Sequence, residues 1–266
     1  MAFAERRMVF LERFENLRLA LNSAYIRSLD DAGALESMIF FTSRQAADDF
    51  MEILLVCGNG EGTAGEKLLR SFYERVVTTT YLHKFPEKFD AYFNYYHVTA
   101  KKVMDSERRM WGDDFYPPEK VTEVEENYER VKDDYRNREC KGCGRKEPGG
   151  AWSPVALGDM AKQVGLDRYY HFAYSRPLLQ AHPSVKGTLR RLVGDPDGPI
   201  SWGERIDRKK SDDVLATAHA LILHLFDVQI ERFQVDGLQA LAERAAQDFK
   251  DIWSPAGDSN VTASVE

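Results

Sequence analysis

The sequence predicts an all-α fold, and three observations carry that expectation. Apolar residues recur at intervals of three and four along most of the chain, the period of one helical face. No stretch alternates with the period of two that a half-buried strand requires, and no internal repeat is visible. The composition, 43% apolar, 12% aromatic and 30% charged over 266 residues, is that of a soluble globular chain long enough to bury a substantial core. The expected organisation is a single helical domain over 1–253. It carries an exposed insertion at 111–150 and ends in a disordered tail at 254–266.

The first helix runs from Ala2 to about Leu29, with Phe3, Met8, Phe10, Leu11, Phe14, Leu17, Leu21 and Tyr25 forming its apolar stripe. Asp30 or Asp31 can cap a second helix through Leu35, Ile39, Phe50, Ile53 and Leu54. The run GNGEGTAG at 58–65 then interrupts it. This run lacks the GxxxxGK[ST] pattern and a preceding strand, so it reads as a helix connector rather than a phosphate loop. The next helix carries Leu69, Phe72, Tyr73, Val76 and Val77 on its apolar face. Arg70 and Glu74, four apart, lie beside that stripe.

Pro86 sits at the first turn of a helix with an aromatic face (Phe89, Tyr92, Phe93, Tyr95, Tyr96), which reads as packing. The turn chemistry of 111–118 marks a linker, and the charge-rich stretch 119–139 an exposed helix. Ser153-Pro154 is a candidate helix start for ALGDMAKQVGL, closed by Gly165. Pro183 biases His182 out of helical geometry, and Ser184 can cap a helix beginning at Val185. DPDGP at 195–199 reads as a loop, 211–235 as a long apolar helix, and a shorter helix reaches about Trp253.

Several function classes are disfavoured. No apolar run approaches the roughly 20 residues of a membrane span, and the N-terminus has the look of neither a signal peptide nor an anchor. A cytoplasmic protein without membrane association is expected. The net charge of −7 argues against a broad nucleic-acid surface while allowing a local basic cleft. Three cysteines give no disulfide framework, and Cys140 and Cys143 form a lone CxxC without the second pair that tetrahedral zinc wants. His219 and His224 are five apart, off chelating spacing, and the Glu-x-x-His pairs of a di-iron bundle are missing. Neither a metal nor another cofactor is expected.

The chemistry concentrates in DRYYHFAYSRPLLQAHPS, residues 167–184. Together with LLRSFYERVVTTTYL and the Trp-led WSPVALGDMAKQVGL, this segment resembles an uncharacterised bacterial domain-of-unknown-function family. The hallmarks of that family are an Arg-x-x-x-Glu helix, a Trp-led short helix ending in Gly, and Tyr-rich residues leading to Ser and His-Pro. The resemblance covers roughly residues 50–190 and implies a helical fold.

A second resemblance is to the HEPN superfamily, through the Arg-x(4–6)-His pattern of Arg176 and His182. It implies a helical bundle, often dimeric, acting as a metal-independent endoribonuclease in toxin–antitoxin or anti-phage systems. On that reading a neutral imidazole at His182 takes a proton from a ribose 2′-hydroxyl. Arg176 clamps the phosphate, with Ser175 and Tyr174 as supporting donors. RNA is then the partner, with a homodimer and an antitoxin or other protein as further partners. Two departures stand out. Pro177 follows the Arg, and six residues of regular helix would set Arg176 and His182 about 120° apart, so a break between them is required. The alternative is a non-catalytic module that binds a protein or small ligand near Arg70, Glu74, Tyr170 and His182.

Overall fold

The computed structural model describes residues 6–29, 31–136, 138–139, 146–147, 149–181, 185–189, 192–193, 198–199, 201–203 and 206–254. The protein is helical throughout most of these residues. The helices are α1 (Arg6–Glu12), α2 (Phe14–Tyr25), α3 (Ala34–Gly58), α4 (Gly62–Lys84), α5 (Phe89–Trp111), α6 (Pro118–Val131), α7 (Leu157–Gln163), α8 (Arg176–Ala181), α9 (Val185–Leu189), α10 (Arg208–Phe233) and α11 (Leu238–Trp253). Among the described residues two antiparallel ladders of two residues each pair β1 (Arg138–Glu139) with β2 (Lys146–Glu147) and β3 (Leu192–Val193) with β4 (Ser201–Trp202). Such short ladders are below the length at which a period of two can be read.

The chain divides into two compact units, one formed by Met1–His83 and Met160–Glu266, the other by Lys84–Asp159. In the first, α10 packs on α3 and α11, and α11 packs on α2. Phe50, Phe72, Leu215, Leu221, Leu225 and Phe226 are fully buried there. By length and apolarity α10 alone among the described helices could cross a bilayer, yet it is largely buried and hides Ser211, Asp212, His219 and Gln229 in this core. His219 is a structural residue. Its Nδ1 accepts from Trp253 Nε1 at 3.2 Å, and its ring packs on Phe10 and Phe249. Burial depresses its pKa to about 4.

The glycine-rich run is a packing device. A Cβ on Gly62 would sit 2.5 Å from Ser211 N and 2.7 Å from Asp207 O, so only glycine lets the start of α4 lie against the start of α10. A Cβ on Gly65 would fall 2.2 Å from Cys57 Sγ. Cys57 is buried, and desolvation together with nearby Asp212 pushes its thiol up to about 12, which leaves it protonated and a poor metal ligand. Cys140 and Cys143 lie outside the described residues.

Several sequence expectations are corrected. The first helix is broken at Arg13, whose guanidinium turns to Asp251 and Asp248 on α11. Asp31 is not a cap: it adopts left-handed backbone (φ 55), and Gly33 occupies the N-cap position of α3. Ser153 does not start α7, which begins at Leu157. Its hydroxyl instead accepts from Val155 N in a local turn. The long helix starts at Arg208 rather than 211, capped by Asp207, whose Oδ1 accepts from Lys210 N at 3.0 Å.

In the second unit α5 and α6 pack against one another, with Val98, Val131 and Tyr135 as a small core flanked by Tyr95 and Tyr128. The residues expected as an exposed insertion, 111–150, belong to this unit. The tail expected from 254 onward lies, after Ser254, outside the described residues.

Candidate functional site

The site grows from one face of α4. Glu66, Arg70, Tyr73 and Glu74 follow one another at helical spacing, and this face meets the stretch 167–176. A 3-10 turn at Asp167–Tyr169 is followed by a π-helical turn at His171–Ser175, after which α8 begins at Arg176. Pro177 explains the wide turn. In a regular helix its ring would strike the carbonyl of Ala173, and it has no N–H to return to that carbonyl. Widening the preceding turn relieves the clash and shifts the register of the helix beyond it. The π-turn ends before Arg176, and Arg176–Ala181 is unbroken helix, so the break that the Arg-to-His spacing requires is not found up to Ala181, and His182 lies outside the described residues.

The π-turn stacks aromatics over α4. Tyr170 and Tyr174 lie 5.2 Å apart, each 6.4 Å from Tyr73 between ring centroids. Tyr73 donates its hydroxyl to Leu166 O at 3.0 Å, and burial pushes its phenol pKa up. Arg70 Nε donates to Glu74 Oε1 at 3.0 Å, its Nη2 donates to the Tyr174 hydroxyl at 3.4 Å, and its guanidinium lies 4.7 Å from the Tyr174 ring centre. The sequence-derived residues Arg70, Glu74, Tyr170 and Tyr174 are therefore brought together.

One turn back on α4, a second group of charges forms around Glu66. Its carboxylate is almost fully buried (1% exposed) and lies 2.9 Å from Arg176 Nε and 3.8 Å from Lys210 Nζ. Lys210 also reaches Asp207 Oδ2 at 3.3 Å and donates to Thr63 Oγ1 at 3.2 Å. Neither Glu66 oxygen nor Arg176 Nε meets hydrogen-bond geometry, so charge rather than directed bonding holds the Glu66–Arg176 pair. The Arg176 side chain remains 34% exposed, with its guanidinium 5.2 Å from the Phe172 ring centre.

Arg176 is thus paired with Glu66 and separate from the Arg70–Glu74 pair. Ser175 ends the π-turn half-buried, and His171 is exposed. His182, the other half of the expected pair, and Ser184 lie outside the described residues. Sequence reasoning missed Glu66, Asp207, Thr63 and Phe172. Glu66 had a legible signal: it extends the apolar stripe of Leu69, Tyr73 and Val76 toward the start of α4, and a carboxylate on a buried stripe is rarely there without a partner. Lys210 stands in a cluster of cations with Arg205, Arg208 and Lys209 that reads as a solvated helix face, and its approach to Glu66 depends on the long-range meeting of α4 and α10.

Chemically, the arrangement holds two cations at fixed positions around a buried carboxylate, beside an aromatic cluster with a third cation stacked on it. Such a constellation suits recognition of an anionic or planar group. Comparison with the curated proteins and with the solved structures returns no match. Residues 37–199 match the family of unknown function DUF5677, which spans the α4 face and the 167–184 segment, and the chain belongs to that family.

Proposed function

We propose that this protein is a metal-independent endoribonuclease with a HEPN-like helical fold, a cytoplasmic component of a bacterial toxin or anti-phage defence system. The observation that carries the reading is the setting of Arg176. It stands where the helical register changes, is held by a buried carboxylate, and keeps a third of its side chain open to solvent. A guanidinium oriented before substrate arrives is the form in which a phosphate clamp is most effective, because no reorganisation is needed as charge develops.

In the proposed reaction the His182 imidazole removes the 2′-hydroxyl proton, and the 2′-oxygen attacks the adjacent phosphorus. The bond to the 5′-oxygen breaks, that oxygen takes a proton, and a 2′,3′-cyclic phosphate remains. Arg176 neutralises the charge on the phosphoryl oxygens. Lys210 adds a second positive charge beside Glu66, and Tyr174 and Ser175 are supporting donors. The role of His182 rests on the sequence pattern. A homodimer and an antitoxin partner belong to the same proposal.

One observation favours a second reading, a non-catalytic module that binds a protein or small ligand. Arg70, stacked on Tyr174 and paired with Glu74, forms an aromatic–cationic surface that needs no nucleophile to be useful. Incubating the purified protein with RNA in EDTA separates the two. The nuclease reading expects cleavage that disappears in Arg176→Ala and His182→Ala. The binding reading expects intact RNA throughout.

A further inference from the structure

In the unit Lys84–Asp159, α5 carries two apolar faces. One is covered: Val98 and Tyr95 pack with Val131, Tyr135 and Tyr128, and Tyr92 lies edge-on to Trp152. The other is open. Phe93, Tyr96, Val103 and Met110 are each between 47% and 68% exposed. With Ala100 and Glu107 they follow one another at intervals of three, four, three, four and three, the spacing of a coiled-coil seam. By its pattern alone the whole aromatic stripe reads as internal packing. The structure sends Tyr92 and Tyr95 inward and leaves Phe93 and Tyr96 outside.

We propose that this seam is a homodimer interface in which α5 packs antiparallel on α5 of a second copy. The pattern is self-complementary in that orientation alone. About a twofold axis midway between Ala100 and Val103, Phe93 meets the partner's Met110, Ala100 meets the partner's Val103, and Tyr96 meets the partner's Glu107. The one charged residue in the seam therefore faces a phenol that can donate to it. A carboxylate accepts several donors, so the hydrogen bond that Glu107 already takes from Tyr116 leaves room for a second. A parallel pairing would set Glu107 against Glu107 in an apolar seam, which is strongly unfavourable.

Size points the same way. The seam spans about 25 Å at the helical rise. Its exposed rings and aliphatic groups, with Trp111 and Phe115 at one end, amount to on the order of 600 Å² per copy. That is at the upper end of what a monomer usually leaves open and approaches the roughly 800 Å² per partner of a standard interface. A recess of 330 Å³ between α5 and α6 opens at mid-seam, with Ala100, Val103 and Met104 on its α5 side and Lys120, Glu123 and Asn127 among its α6 lining, and has room for side chains of a facing helix.

The interface rests on the homodimer of the ribonuclease reading and names its surface, and because assembly and RNA cleavage are measured separately either can fail alone. The test is sedimentation equilibrium of the full chain across micromolar concentrations. Wild type is compared with Val103→Glu and with Met51→Glu, which places the same charge on an exposed apolar position of α3. Helicity is checked by circular dichroism. The expected result is a wild-type dimer, on the order of 100-fold or more weaker association in Val103→Glu at unchanged helicity, and a dimer retained in Met51→Glu. A wild type that stays monomeric up to concentrations on the order of 100 μM, or a dimer that survives Val103→Glu, would overturn the proposal. So would a folded Met51→Glu protein that has lost the dimer.

Discussion

Acidification from pH 7 to pH 5 should destabilise the unit built on α10 through His219, with His224 on the same helix, its pKa lowered by burial and by Arg168, acting in the same direction. The His219 imidazole is buried against Phe10 and Phe249, and its Nδ1 accepts the Trp253 indole N–H, so the neutral form fits the site. Adding a proton at Nδ1 would set two N–H groups against each other in a low-dielectric core. The folded-state pKa is about 4, against an ordinary value of 6.5. Between these values the unfolded chain binds a proton that the folded chain refuses, so stability is full above pH 6.5 and is lost as the pH falls toward 4. At about 1.4 kcal/mol per pH unit, the loss from this group is about 2 kcal/mol at pH 5. Urea unfolding of wild type and His219→Phe at pH 7 and pH 5 isolates it, because other titrating groups act equally in both proteins. The variant should be less stable at pH 7, having lost the acceptor for Trp253, and its pH dependence should be shallower by about 2 kcal/mol. Parallel pH profiles for the two proteins would refute the assignment of His219 as a buried neutral histidine.

Other perturbations test the packing around Glu66. Glu66→Gln removes the charge that holds Arg176 and Lys210. With both cations partly exposed, the cost should be about 2 kcal/mol by urea unfolding, below the roughly 3–5 kcal/mol typical of a fully buried pair. An unchanged unfolding midpoint would show that solvent screens the pair completely. Gly62→Ala drives a methyl into Ser211 N and Asp207 O and should cost about 1–3 kcal/mol, seen as a melting temperature several degrees lower. A variant as stable as wild type would mean that α4 and α10 can part without penalty.

The information legible in the sequence was local. The apolar stripes of α3, α4, α10 and α11 are long and regular, and the 58–65 interruption announces itself by its glycines, so the helical class and most element positions were legible. The failures have physical causes. Continuous periodicity hid the break at Arg13, whose side chain pairs with acidic residues on α11 more than 230 positions away. A run of three cations, Arg208–Lys210, opposes the helix dipole at an N-terminus and so concealed the start of α10, which the Asp207 cap and the Glu66 carboxylate offset. Within the site, the α4 pair and the Tyr-rich segment were each visible as motifs. Their meeting, and the pairing of Arg176 with Glu66, are contacts between segments some hundred residues apart that neither motif encodes locally.

The most direct test of the proposed function is the chemistry of the RNA ends. Wild type, Arg176→Ala, His182→Ala and Arg70→Ala would be incubated with a 5′-labelled RNA in EDTA, and the products resolved before and after acid opening of cyclic phosphates. The expected result is 2′,3′-cyclic phosphate ends from wild type, none from Arg176→Ala or His182→Ala, and thermal unfolding of the His182 variant close to wild type. RNA left intact by a folded wild-type protein, or cleavage undiminished in the Arg176 and His182 variants, would contradict it.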